Sequence, residues 1–151
     1  MEKEKVRVWL YTRDLDLGIP GPGQVVKHWA VVFDYLNKDG QVECSVIYEV
    51  FNDMGLLQAK RRNFRQKILE KEWEGKPGYY KKDMGIFPTA GEEMAKEFCE
   101  DFNKKKIEYD IIKNNCQKFV QTFLDYLLED SISLPWTAET FVETLVETLL
   151  Q

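Results

Sequence analysis

Hydrophobic and polar positions alternate at two different periods along this chain, and the changes of period mark its elements. Val6 to Thr12 (VRVWLYT) mixes β-branched and aromatic residues and predicts a first strand. The following DLDLGIPGPGQ holds three glycines and two prolines between Gly18 and Gly23, so it is expected to be a loop. From Val25 to Leu36 (VVKHWAVVFDYL) both parities are largely apolar, as in a strand covered on both faces. Asn37 to Gly40 (NKDG) is a turn signal, and Gln41 to Phe51 (QVECSVIYEVF) reads as the returning strand of a hairpin.

The middle of the chain is more polar. Ala59 to Lys76 (AKRRNFRQKILEKEWEGK) reads as a charged helix, and Pro77 to Phe87 (PGYYKKDMGIF) as a turn followed by a short strand. Helical periodicity returns at Gly91 to Asn103, where Met94, Phe98 and Phe102 share a face beside Ala95 and Cys99. A short extended piece, Ile107 to Ile112, leads to the helix-capping residues Asn114 and Asn115. After them Cys116, Phe119, Val120, Phe123, Leu124 and Leu127 trace an apolar helical stripe. Leu134 to Thr137 (LPWT) then opens a last amphipathic helix with Phe141, Val142, Leu145, Val146, Leu149 and Leu150 on its apolar face. The expectation is an α+β fold in a single domain over 1–151, a small antiparallel sheet with helices packed on it.

Composition narrows the function classes. Hydrophobic content of 44% and charged content of 31% over 151 residues suit one folded domain with a substantial core. A net charge of -5 argues against nucleic acid, whose phosphates call for a broad basic surface. No secretory signal is visible in MEKEKVRVWL, and no apolar run is long enough to span a bilayer. Cys44, Cys99 and Cys116 are odd in number and lack CxxC spacing, which suits free thiols in the cytoplasm better than a disulfide framework or a zinc site. No cofactor or metal is expected, because one histidine and scattered cysteines cannot build a site.

One pair of residues can carry chemistry. A thiol at a helix start gains stabilisation of its thiolate from the helix dipole and unpaired N–H groups, which is the position of Cys116. Its activating base must be His28, the only histidine of the chain. The bland alternative is a small buried hydrophobe and a satisfied core imidazole, and Cys44 and Cys99 are read in that way. A third group depends on hairpin register. A two-residue loop at Asp39-Gly40 pairs His28 with Phe51 and places Glu49 on its face, whereas an odd-length loop places Tyr48 there.

Two segments also resemble known families. Val26 to Phe33 (VKHWAVVF) resembles the histidine strand of the lecithin:retinol acyltransferase-like and HRAS-like suppressor phospholipase/acyltransferase families, and Asn115 to Val120 (NCQKFV) resembles their N-C-E-H-F-V segment. Val6 to Leu15 (VRVWLYTRDL) and Asn114 to Phe119 (NNCQKF) are similar to the opening strand and N-N-C-N-x-F segment of the PPPDE deSUMOylating isopeptidases. Histidine first on a strand and cysteine later at a helix start is the order of permuted, NlpC-like members of the papain-like fold. The resemblance implies that fold and two-step acyl transfer through a Cys116 thioester, with the backbone N–H of Cys116 helping to hold the oxyanion.

The implied substrate is an acyl lipid or, on the isopeptidase side, a ubiquitin-like protein conjugate; a non-catalytic binding module on the same fold is the reading from another class. The acyltransferases carry a second histidine on the returning strand. Aligning Ser45 to Glu49 (SVIYE) with that strand puts Tyr48 in its place, so resemblance favours Tyr48 over Glu49. Isopeptidases work with Cys and His alone, so the absence of a second histidine leans slightly toward that side. Gln117 and Lys118 stand where the acyltransferases have Glu and His and receive no role. Lys60, Arg61, Arg62, Arg65 and Lys67 form a basic cluster suited to a lipid headgroup or an acidic protein, with solvated charge the commoner explanation. The last helix has an acidic polar face (Glu139, Glu143, Glu147), which suits packing or self-association better than peripheral membrane contact. Trp29 and Trp136 are read as core or pocket wall.

Overall fold

A computed structural model describes residues 4–15, 26–64, 67–108 and 116–128. The elements run β1 (Lys5–Leu15), β2 (Val26–Leu36), β3 (Val42–Asp53), β4 (Leu56–Asn63), α1 (Lys67–Trp73), β5 (Tyr80–Pro88), α2 (Glu92–Lys104) and α3 (Cys116–Leu127). The strands form one five-stranded antiparallel sheet in the order β4-β3-β2-β1-β5. The fold is therefore α+β. The loop expected after Leu15, the caps Asn114 and Asn115, Trp136 and the last helix lie outside the described residues.

β2 sits at the centre of the sheet, and its two apolar parities serve two layers. Trp29, Val31, Phe33 and Tyr35 join Val6, Val8, Leu10, Tyr48 and Val50 beneath α2 and α3. Ala30 and Val32 join Tyr11, Ile47, Phe64, Leu69 and Trp73 on the other face, where α1 lies. Each large buried aromatic removes roughly 150–250 Å² from water, about 4–6 kcal/mol against an extended chain. Phe33, Tyr48, Phe98, Phe119 and Phe123 pack in a continuous chain of tilted and edge-on rings, which seats α3 on the sheet.

One expectation about the elements is corrected. The first part of the charged segment is strand β4, and only Lys67–Trp73 is helical. Leu57 and Ala59 are buried beneath α2, while the alternate positions Gln58, Lys60 and Arg62 point to the other face. The arginines tolerate strand geometry because each guanidinium reaches a carboxylate, Arg61 to Glu92 and Arg62 to Glu49 and Glu72. Part of the outer edge of β4 is also satisfied. Leu57 N–H donates to the Ile107 carbonyl at 2.8 Å. The Asn103 side chain accepts from Ala59 N–H at 2.7 Å and donates to the Ala59 carbonyl at 3.0 Å, imitating a neighbouring strand.

Candidate active site

The β2–β3 ladder ends at Ala30↔Glu49, although both strands continue. α3 begins there: the Trp29 N–H, one residue past the last pair, donates to Sγ of Cys116 at 3.3 Å. His28 lies one residue further along β2, on the α1 face. Its Nε2 is 2.9 Å from Oε2 of Glu49. An ionised carboxylate can only accept, so Nε2 carries the hydrogen and Nδ1 is the nitrogen left for the thiol. A side-chain hydrogen bond with Cys116 is among the interactions acting on the ring. The structure thus brings Cys116, His28 and Glu49 together, all three buried.

The imidazole is enclosed. It stacks on Trp73 of α1, with ring centroids 5.3 Å apart and planes 22° from parallel, and meets Phe51 of β3 at 5.7 Å. Arg13 lies 5.0 Å over Trp73, and Lys60 lies 5.1 Å over Phe51. Glu49, 1% exposed, is held at both oxygens: Oε2 by His28 and Oε1 by Nη2 of Arg62 at 2.5 Å. Arg62 in turn meets Oε2 of Glu72 on α1 at 3.3 Å.

These contacts set the protonation states. Burial alone drives the His28 pKa down, but the hydrogen bonds and electrostatic interactions with Cys116 and Glu49 outweigh it and raise it to about 9. Burial drives Glu49 up, and the hydrogen bonds from His28 and Arg62 with their charges reverse this, leaving it below its ordinary value. At neutral pH the arrangement favours an imidazolium beside an ionised carboxylate. Burial raises Cys99 to about 11 and also raises Cys44, so neither has the environment of an activated thiol.

Tyr48 is not brought to the imidazole. It points to the α3 face, where its hydroxyl lies 2.6 Å from that of Tyr35 and also hydrogen-bonds Arg61; burial raises its pKa to about 12. The physical reason lies in the hairpin. Gly40, at φ 80°, closes a three-residue loop, Lys38 to Gly40, with its N–H on the Asn37 carbonyl at 3.0 Å and the Asn37 N–H on Gln41 at 2.8 Å. Oδ1 of Asn37 secures the loop by accepting from the N–H groups of Asp39 and Gln41, both at 2.9 Å. That odd loop pairs Leu36 with Val42, a register that, carried inward, pairs Ala30 with Tyr48. Instead Tyr35 pairs with Cys44, leaving Glu43 as a bulge, and the extra residue returns Ala30 to Glu49.

Sequence reasoning did not single out Trp73 or Glu72, and it read Arg62 only as one of a cluster of charges. The alternation of Leu57, Gln58, Ala59 and Lys60 was the available signal, since a strand there puts Arg62 on the face of Glu49. The basic cluster is not a uniform patch, because Arg61 and Arg62 are engaged by carboxylates. Arg65 and the Lys67 side chain lie outside the described residues. Trp29 is core, Gln117 is buried beside Cys116, and Lys118 is exposed. Among the described residues no group of three or more His, Cys, Asp or Glu converges on a metal position, and no helix is long and apolar enough to cross a membrane. No family model, no curated protein and no solved structure matches this chain.

Proposed function

We propose that this chain is a cysteine-dependent hydrolase or acyltransferase of permuted papain-like architecture, acting in the cytoplasm on an acyl ester or amide. Cys116 is the nucleophile, His28 the base and Glu49 the group that orients it. The observation that carries the reading is the single imidazole held between the Glu49 carboxylate and the Cys116 thiol, at the start of α3.

The chemistry follows from that placement. The proton shared by the pair rests on Nδ1 of His28, and the Cys116 thiolate is steadied by the imidazolium, the Trp29 N–H and the positive end of α3. The sulfur attacks the substrate carbonyl, and the Cys116 N–H at the start of α3 helps to hold the oxyanion. The imidazolium then protonates the leaving alcohol or amine as the tetrahedral intermediate collapses to a thioester. Water, or an acceptor hydroxyl or amine, gives its proton to His28 as it attacks the thioester, and the Cys116 thiolate is released beside the restored imidazolium.

Glu49 gives the imidazole a third partner from the returning strand, one residue beyond Tyr48, on which the alignment places the acyltransferases' second histidine; a three-membered arrangement supports the acyl-lipid side of the reading. Incubation with a short-chain aryl ester and with a phospholipid, followed by intact mass, tests it. The expected result is an acyl adduct on the wild-type chain that is absent from Cys116→Ala. Cleavage of a ubiquitin-like conjugate without any lipid adduct would move the assignment to the isopeptidase side. If no substrate forms an adduct and Cys116 is alkylated no faster than an ordinary thiol, the non-catalytic module is the better description.

A further inference from the structure

We infer that Arg62 is a positioning residue for the base: it acts on His28 through Glu49, and Glu72 of α1 anchors it. This rests on the reading of Cys116, His28 and Glu49 as the reacting group. Glu49 is almost fully buried and carries two acceptor oxygens. His28 satisfies one and Arg62 the other, so the plane of the carboxylate is fixed by two donors lying on different strands. Without Arg62, a buried carboxylate keeps one hydrogen bond and gains a strong tendency to protonate or rotate. Either change removes the acceptor that holds Nε2–H, and with it the orientation of Nδ1 toward the sulfur.

Arg62 is itself located by a second contact. Glu72 meets the same Nη2 that serves Glu49, and Arg62 lies 5.7 Å over the Phe51 ring that also flanks His28. The next residue of α1, Trp73, is the surface on which the imidazole stacks. One short helix therefore fixes the ring directly and fixes its carboxylate at one remove. Among the described residues, the charged or titratable groups on His28 or on its immediate partners are Cys116 from α3, Glu49 from β3, Arg13 from β1, Lys60 and Arg62 from β4, and Glu72 from α1.

The test is the pH titration of the single histidine by NMR, beside the alkylation rate of Cys116 by iodoacetamide over the same pH range. Arg62→Gln is expected to lower the His28 midpoint by about one unit and slow alkylation at neutral pH about tenfold. With an ester substrate the loss falls on kcat and leaves KM in place. Arg62→Lys, which keeps the charge, recovers most of the midpoint, and Glu72→Gln gives a smaller shift in the same direction. A folded Arg62→Gln with the wild-type midpoint and alkylation profile overturns the inference. If Arg62→Gln does not fold, Glu72→Gln and Arg62→Lys decide: a midpoint unmoved in both overturns it, and a graded shift supports it. A shifted midpoint in a protein that forms no acyl adduct keeps the positioning role and removes the hydrolase reading. An adduct with an unmoved midpoint does the reverse.

Discussion

Replacing Glu49 by Gln isolates the largest single consequence of the buried site. The substitution keeps the side chain's size and an oxygen for Nε2–H, but removes the charge that the imidazolium meets at 2.9 Å. A hydrogen bond to a charged partner contributes about 1.5–3 kcal/mol, which at 1.36 kcal/mol per pKa unit is a change of roughly one to two units. The His28 midpoint, about 9 in the wild type, should therefore fall to between about 7 and 8, because the Cys116 interaction stays while burial continues to act against the charge. As the chain has one histidine, its ring resonances in an NMR titration need no assignment.

The same substitution changes stability with a defined sign. A histidine raised above its ordinary value of 6.5 stabilises the fold fully below that pH, and the contribution disappears as pH rises through about 9. Glu49, lowered from 4.5, contributes above its ordinary value and loses that contribution as pH falls. Wild-type denaturation midpoints should thus decline from neutral toward alkaline pH, and Glu49→Gln should flatten most of that decline. A Glu49→Gln titration within about half a unit of wild type would refute the assignment of Glu49 as the group that holds the imidazolium.

Other outcomes follow from the same contacts. Iodoacetamide at neutral pH should modify Cys116 well before Cys99, which burial raises to about 11, as read by peptide mass mapping. Tyr48→Phe should cost about 1–3 kcal/mol in denaturant melts, since it leaves the Tyr35 hydroxyl without its partner, while the Cys116 alkylation profile stays unchanged. Trp73→Ala removes a side chain 1% exposed from the α1 layer and should cost about 3–5 kcal/mol, while broadening the His28 ring signals as the stack is lost.

How much of this was legible in the sequence follows from where the decisive interactions lie. The hairpin could be read because Val25 to Leu36 is apolar at both parities, and helices do cover β2 on both faces of the sheet. The α3 stripe was equally clear, since Phe119, Val120, Phe123, Leu124 and Leu127 are all buried. β4 was not. Its arginines look solvated in one dimension and become strand residues only when Glu49, Glu72 and Glu92 arrive from elsewhere in the fold. Cys116 and His28 were found as residue types in suitable positions, whereas the choice between Tyr48 and Glu49 needed a register that loop length alone does not define.

The bulge at Glu43 gives that last point a wider consequence. Strand sequence and turn chemistry can both stay constant while a one-residue insertion at the rim decides whether a phenol or a carboxylate meets the base. Hairpin rims tolerate such insertions more readily than strand interiors do. Divergence in a lineage of such chains could therefore exchange the group behind the base with no substitution at either position, simply by gaining or losing one residue some distance from the reacting atoms. Sequence comparisons that align the strands and discard the turn as variable would miss the change.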